Sequence, residues 1–143
     1  MPLSIRIRHR VADAQGLIDT SVLVDLDGIP IEQLPDEMAI AAISLAELAA
    51  GPHATEDPAE RARRQDRLQR VEATFEPLPF DASAARAYGQ IYAAVAVAGR
   101  KPRGRRAVDL LIAATALGAG LPLWTRNPAD FEGLEGLIRV VAV

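Results

Sequence analysis

Short apolar runs alternate with longer helical stretches along the 143 residues, which predicts an α/β fold with a mostly parallel sheet. Three observations carry this. Compact apolar runs recur at Leu17-Ile18, Met38–Ile43, Leu121–Thr125, with Pro122 near its start, and Leu137–Val143. Cap residues stand where helices should begin, and Gly or Pro stands where they should end. Asp19-Thr20-Ser21 turns the first strand into a helix from Val22. Ser44-Leu45-Ala46-Glu47 opens the next helix, which Gly51-Pro52 ends. Asp57-Pro58 reads as N-cap and first residue of a long polar helix to about Thr74. Phe75–Phe80, broken by Pro77 and Pro79, is at best an edge strand. Asp81 or Ser83 caps a helix to about Ala98, with Tyr88, Tyr92 and Val95 on one face. Gly99–Arg106 is a basic loop, Val108–Leu117 an apolar helix stopped by Gly118 and Gly120, and Asn127–Phe131 a turn or short helical segment.

Half the residues are hydrophobic and 24% are charged, the balance of a folded domain. One domain over 17–143 is expected, after a leader over 1–16. In that leader the Ile5-Arg6-Ile7-Arg8 alternation leaves open a short edge strand or a disordered basic arm. Cysteine is absent, which excludes a disulfide framework and thiolate metal sites and fits a reducing cytoplasm. His9 and His53 are too few for a histidine-rich zinc site. No apolar stretch is long enough for a signal peptide or a membrane span. Nineteen acidic residues against sixteen basic ones give a net charge of −3, which alone does not suggest a nucleic-acid partner.

Ligands of open α/β sheets bind beyond the carboxyl ends of the strands. Asp19 follows the first strand, and Glu47 lies one turn into the helix after the second. Asp109 falls in the first turn of an apolar helix, and Asn127 and Asp130 follow the Leu123–Thr125 strand. Each has a plainer reading. Asp19 is a natural N-cap, Ser44-x-x-Glu47 has capping-box spacing, Asp109 complements a helix dipole, and Asp130 caps a turn. Asp25, Asp27, Asp36, Asp57 and Asp81 are assigned to turns and caps. Together, converging carboxylates without His or Cys are hard oxygen ligands suited to Mg²⁺ or Mn²⁺. Without a cation they would repel one another and raise their pKa values.

Four segments in order resemble the motifs of PIN-domain nucleases, and among them VapC toxins of type II toxin–antitoxin systems. They are Leu17-Ile18-Asp19-Thr20-Ser21-Val22-Leu23-Val24, Ile43-Ser44-Leu45-Ala46-Glu47-Leu48, Asp109–Ala116, and Trp124-Thr125-Arg126-Asn127-Pro128-Ala129-Asp130-Phe131. They span residue 17 to nearly the end of the chain. The resemblance implies a three-layer α/β/α PIN-like fold. It implies a Mg²⁺- or Mn²⁺-dependent endoribonuclease that inhibits translation, forms a homodimer and is neutralised by a cognate VapB-like antitoxin. Carried over, Asp19, Glu47 and Asp109 are metal ligands, and Asp130 is the fourth acid with Asn127 assisting. Thr20, Ser44 and Thr125 match hydroxyls that hold the carboxylates. Residues 1–16 depart from the pattern, which starts just before the first strand.

Two basic segments are candidates for RNA. Arg100, Lys101, Arg103, Arg105 and Arg106 precede Asp109 and are suited to phosphate contacts. Arg61, Arg63, Arg64, Arg67 and Arg70 on the polar helix read instead as a solvated, salt-bridged face, because Glu60–Arg64 and Asp66–Arg70 are i, i+4 pairs. The competing readings are a non-toxin PIN nuclease, including one acting on DNA, and a non-catalytic phosphate- or nucleotide-binding α/β module. The latter lacks a G-x-G-x-x-G fingerprint, and a receiver-like variant would have to use Lys101, the single lysine.

Overall fold

A computed structural model describes residues 15–99 and 104–143. Residues 1–14 of the leader, with the Ile5–Arg8 alternation, lie outside the described residues, as do Arg100, Lys101 and Arg103, whereas Gln15 and Gly16 belong to the first strand and not to a leader. Four strands, β1 (Gln15–Ile18), β2 (Glu37–Ala39), β3 (Leu123–Thr125) and β4 (Val140–Ala142), form one sheet in the order β2-β1-β3-β4. Every neighbouring pair is parallel. Five α-helices intervene: α1 (Thr20–Val24), α2 (Ala42–Ala50), α3 (Pro58–Thr74), α4 (Ala82–Val97) and α5 (Arg105–Ala119).

Strand periodicity divides the core between two faces. Successive side chains in a strand point to opposite sides. Accordingly Leu17 and Leu123 join one cluster with Ile91 and Val95 of α4 and Leu110, Ile112 and Ala113 of α5. Ile18 and Trp124 join the other with Val22 and Leu23 of α1, Leu48 of α2 and Val71 of α3. Helices thus cover both faces, giving the expected three-layer α/β/α arrangement. Both faces of β1 and β3 are buried, which is why these strands read as unbroken apolar runs rather than alternating ones.

Several boundaries differ from the sequence expectation. The second apolar run leaves the strand at Ala39, and α2 begins at Ala42, two residues before Ser44. Its N-cap is Ala41, with no side-chain cap, so the capping box does not form. Phe75–Phe80 contributes an isolated bridge from Leu78 to Ala41, because Pro77 and Pro79 supply no backbone donors. The buried stripe of α4 is Ala84, Ala87, Ile91 and Val95, so Tyr92 is left 50% exposed. Helix α5 starts at Arg105 and continues through Gly118 to Ala119. A Cβ on Gly118 would lie 2.9 Å from the Ala84 backbone nitrogen, so the close crossing of α4 and α5 needs glycine there. The last strand is shorter than the apolar run that contains it. The caps at Asp57 and Asp81 form as expected, accepting from Glu60 and Ala84 N–H respectively.

Gly16 sits where β1 passes the indole of Trp124. A Cβ there would fall 2.4 Å from Trp124 Nε1 and 2.5 Å from Cδ1. The indole is buried and its N–H has no partner among the described residues, so it has little room to retreat. Gly16→Ala is expected to destabilise the fold by about 1–3 kcal/mol through overpacking. Trp124 is the single tryptophan, so its fluorescence during a urea melt reports both the stability loss and the displaced ring.

Candidate active site

The chain runs from β1 out to β2 on one side of the sheet, then crosses back so that β3 lies on the other side of β1. The carboxyl ends of β1 and β3 therefore flank a topological switch point, where open α/β sheets open a crevice. Leu17 pairs with Leu123 and Ile18 with Trp124, and the Asp19 N–H donates to the Trp124 carbonyl at 3.0 Å. This register puts Asp19 beside Thr125 and the turn that follows it.

Asp19 is 5% exposed and does cap α1, but the cap uses one oxygen. Oδ1 accepts from the Val22 N–H at 3.2 Å and from Ser21 Oγ at 2.6 Å. Ser21 was read from the sequence only as a capping residue. In the fold its hydroxyl also accepts from the Arg126 N–H at 3.1 Å and lies 3.4 Å from Thr125 Oγ1. It joins the first acidic turn to the turn after β3. The signal was available as three consecutive side chains able to cap a helix that needs one.

Glu47 is held from the same turn. Thr20 Oγ1 lies 2.5 Å from Glu47 Oε1 and 2.8 Å from the buried Ser44 Oγ. A hydroxyl has one proton, and the carboxylate, which only accepts, competes for it more strongly. So α1 orients the acid of α2, with Ser44 behind the contact. These contacts replace the capping-box reading of Ser44 and Glu47. Thr125, fully buried, accepts from the Asn127 N–H at 3.0 Å and shapes the turn leading to Asp130. Asn127 itself is exposed.

Asp109 is on the second turn of α5, not the first as its sequence position suggested, because the helix begins four residues earlier. The helix-dipole explanation is weakened accordingly. Its carboxyl is pushed up from 3.8 to about 6, first by burial, then by the negative charges of Asp130, Asp19 and Glu47, with Arg105 opposing. Three acids from three other segments thus act on Asp109. Among the described residues no three of them are already gathered at metal-ligating distance. Mg²⁺ commonly keeps several waters and binds through only one or two carboxylates directly. An all-oxygen donor set whose members repel one another fits such a cation, and no nitrogen or sulfur ligand competes for a softer metal.

Arg105 and Arg106 stand in the first turn of α5 rather than in the preceding loop. Arg106 is half-buried, with Nη1 3.5 Å from the Asp130 carbonyl oxygen. On α3 the salt-bridged reading holds for Arg63 and Arg64 with Glu60, and for Arg70 with Asp66 and Asp27. Arg126 pairs with Asp25 across 3.5 Å.

The PIN-domain family profile matches residues 16–135. The chain is a member of the PIN-domain family. It is 36% identical over 130 residues to Ribonuclease VapC5 of Mycobacterium tuberculosis, an alignment covering 89% of this chain and 93% of that protein. Among solved structures, a VapBC-5 toxin–antitoxin structure from M. tuberculosis superposes with TM-score 0.77 at 35% identity, covering 91% of this chain and 99% of that one. A DNA-bound VapBC from Salmonella typhimurium superposes with TM-score 0.69 at 27% identity, covering 88% and 96%.

Two outcomes follow for this PIN domain. The folded state holds the Asp109 proton more tightly than the unfolded chain does. Without divalent cations, stability should therefore fall as pH rises from 3.8 through about 6, and remain lower above that. Asp109→Asn should flatten that fall and stabilise the protein at neutral pH by about 1 kcal/mol, after allowance for solvent screening at this half-exposed position. Urea melts in EDTA across this pH range check both. Ser21→Ala should weaken Mn²⁺ binding, read by calorimetry, by about 10- to 100-fold, and Ser21→Thr should restore most of it.

Proposed function

We propose that this PIN domain is a divalent-metal-dependent endoribonuclease of the VapC kind, a cytoplasmic toxin that inhibits translation and is neutralised by a VapB-like antitoxin. The observation that carries the reading is the electrostatic coupling of Asp109 to Asp130, Asp19 and Glu47 at the switch point of the sheet. A scaffold that merely binds a partner gains nothing from keeping four mutually repelling acids together. The names of the similar proteins, a ribonuclease and toxin–antitoxin assemblies, support the RNA substrate and the antitoxin.

In this reading Asp19, Glu47, Asp109 and Asp130 hold one or two Mg²⁺ or Mn²⁺ ions, with Asn127 assisting at the fourth position. The bound cation supplies neutralisation of phosphoryl charge and acidification of a water. The chain's own part is positioning. Ser21 and the α1 N-terminus fix Asp19, and Thr20 and Ser44 fix Glu47. Thr125 fixes the turn that carries Asn127 and Asp130. Arg105 and Arg106 stand near enough to the acids to meet substrate phosphates, and Arg100, Lys101 and Arg103, which precede them in the sequence, belong to the same proposal. The homodimer belongs to the same proposal, with Tyr92 and Val97, 50% and 90% exposed on α4, as apolar surface it would cover.

The test is cleavage of a single-stranded RNA, and of a DNA of the same sequence, during Mg²⁺ and Mn²⁺ titration. RNA cleavage should appear with metal and vanish in EDTA. Asp19→Asn and Asp109→Asn should each lower it by more than the roughly 100-fold typical of losing a supporting contact. Full activity in either variant, or cleavage confined to DNA, would overturn the assignment.

A further inference from the structure

Beside Glu47 lies a cleft of about 590 Å³, within the range of roughly 300–1,000 Å³ common for ligand sites. Its wall includes Thr20 and Glu47 of the acidic site, Arg64 and Arg67 of α3, and Arg105 of α5. The charges in it are not all equivalent. Arg64 is taken up by Glu60 at 2.9 Å and by the Gly51 carbonyl at 2.9 Å, and the Asp25 carboxylate at the rim pairs with Arg126. Arg67 and Arg105 make no ion pair or hydrogen bond among the described residues. Arg67 is half-buried, on a helix where Arg63, Arg64 and Arg70 are each ion-paired. Once Glu47 is assigned to a cation, the charges left in the cleft without an ion pair among the described residues are the two guanidiniums, the field of Arg105 also reaching Asp109.

We propose that this cleft is a subsite for the phosphate backbone of single-stranded RNA, gripped by Arg67 from α3 and Arg105 from α5, and leading the strand to the acids. The proposal rests on the RNA-cleaving reading of the adjoining site. Guanidinium forks suit phosphate oxygens, and a half-buried one is screened less than a surface charge. Among the described residues no aromatic side chain lines the cleft, so these offer no stacking platform for bases and grip without reading sequence. It assigns Arg67 a role that the i, i+4 pattern of α3 hides, and it separates Arg67 from its ion-paired neighbours.

The experiment is the salt dependence of kcat/KM for a fluorogenic single-stranded RNA in Mg²⁺. Releasing one phosphate contact to a single strand should make the log–log slope shallower by about 0.7, so Arg67→Gln/Arg105→Gln should lose about 1.4. The loss should fall on KM with kcat nearly kept. Arg67→Lys should retain the slope, and Arg63→Gln, outside the cleft, should leave it unchanged. If the wild-type chain does not cleave RNA, the functional reading fails, and fluorescence anisotropy of the same RNA in Mg²⁺ then measures the slope independently. A double variant with the wild-type slope, or one in which Arg63→Gln has an equal effect, overturns the subsite.

Discussion

Leu17 and Ile18 pair in parallel with Leu123 and Trp124, segments separated by most of the chain, and the site exists because of that pairing. It places the turn after β1 beside the turn after β3, and the Asp19 N–H completes the ladder on the Trp124 carbonyl. The acid of the first turn is therefore rigid at its backbone before any side chain acts. Burial on both faces makes the register costly to shift, since a one-residue slip would exchange Leu17 for Ile18 between two different cores. The tightness of Gly16 against Trp124 is the same constraint at the other end of the strand.

Upon that pairing rests an arrangement that works against stability. Asp19 is nearly inaccessible, and Asp109 is surrounded by charge of its own sign. Two things offset the repulsion within the chain. The Val22 N–H and Ser21 donate hydrogen bonds to Asp19, and Thr20 donates toward Glu47. Among the described residues Asp109 receives no such hydrogen bond, and its proton affinity rises. The remaining imbalance is what a divalent cation would relieve, so the proposed metal binding and the raised proton affinity of Asp109 would have one cause.

The fold and the acids were legible in the sequence for a physical reason. A strand buried on both faces is a short apolar run, and an acid directly after it has few structural explanations beyond a cap. What was not legible depended on contacts between distant segments. Ser44 and Glu47 satisfy the spacing of a capping box, yet α2 starts earlier and both side chains turn to Thr20 instead. Ser21 looked redundant beside Asp19 until the turn after β3 was brought against it. Of Tyr88, Tyr92 and Val95, which share a helical face by spacing, Val95 is buried and Tyr88 packs against the core, but the stripe is centred on Ile91 and leaves Tyr92 exposed, because burial depends on which side α5 crosses.

The net charge of −3 gains meaning only when it is divided by location. Three of the nineteen acids, Asp130, Asp19 and Glu47, act electrostatically on a fourth, Asp109, and several others are spent on arginines of α3 or on helix caps. If those acids hold a cation, as proposed, their excess negative charge does not repel a polyanion once the cation is bound. What a phosphate backbone then meets is the local field, and beside the acids that field belongs to guanidiniums such as Arg67 and Arg105. A mildly acidic chain and an RNA substrate are compatible on this account, because the charges that make the total negative are not the ones the substrate encounters.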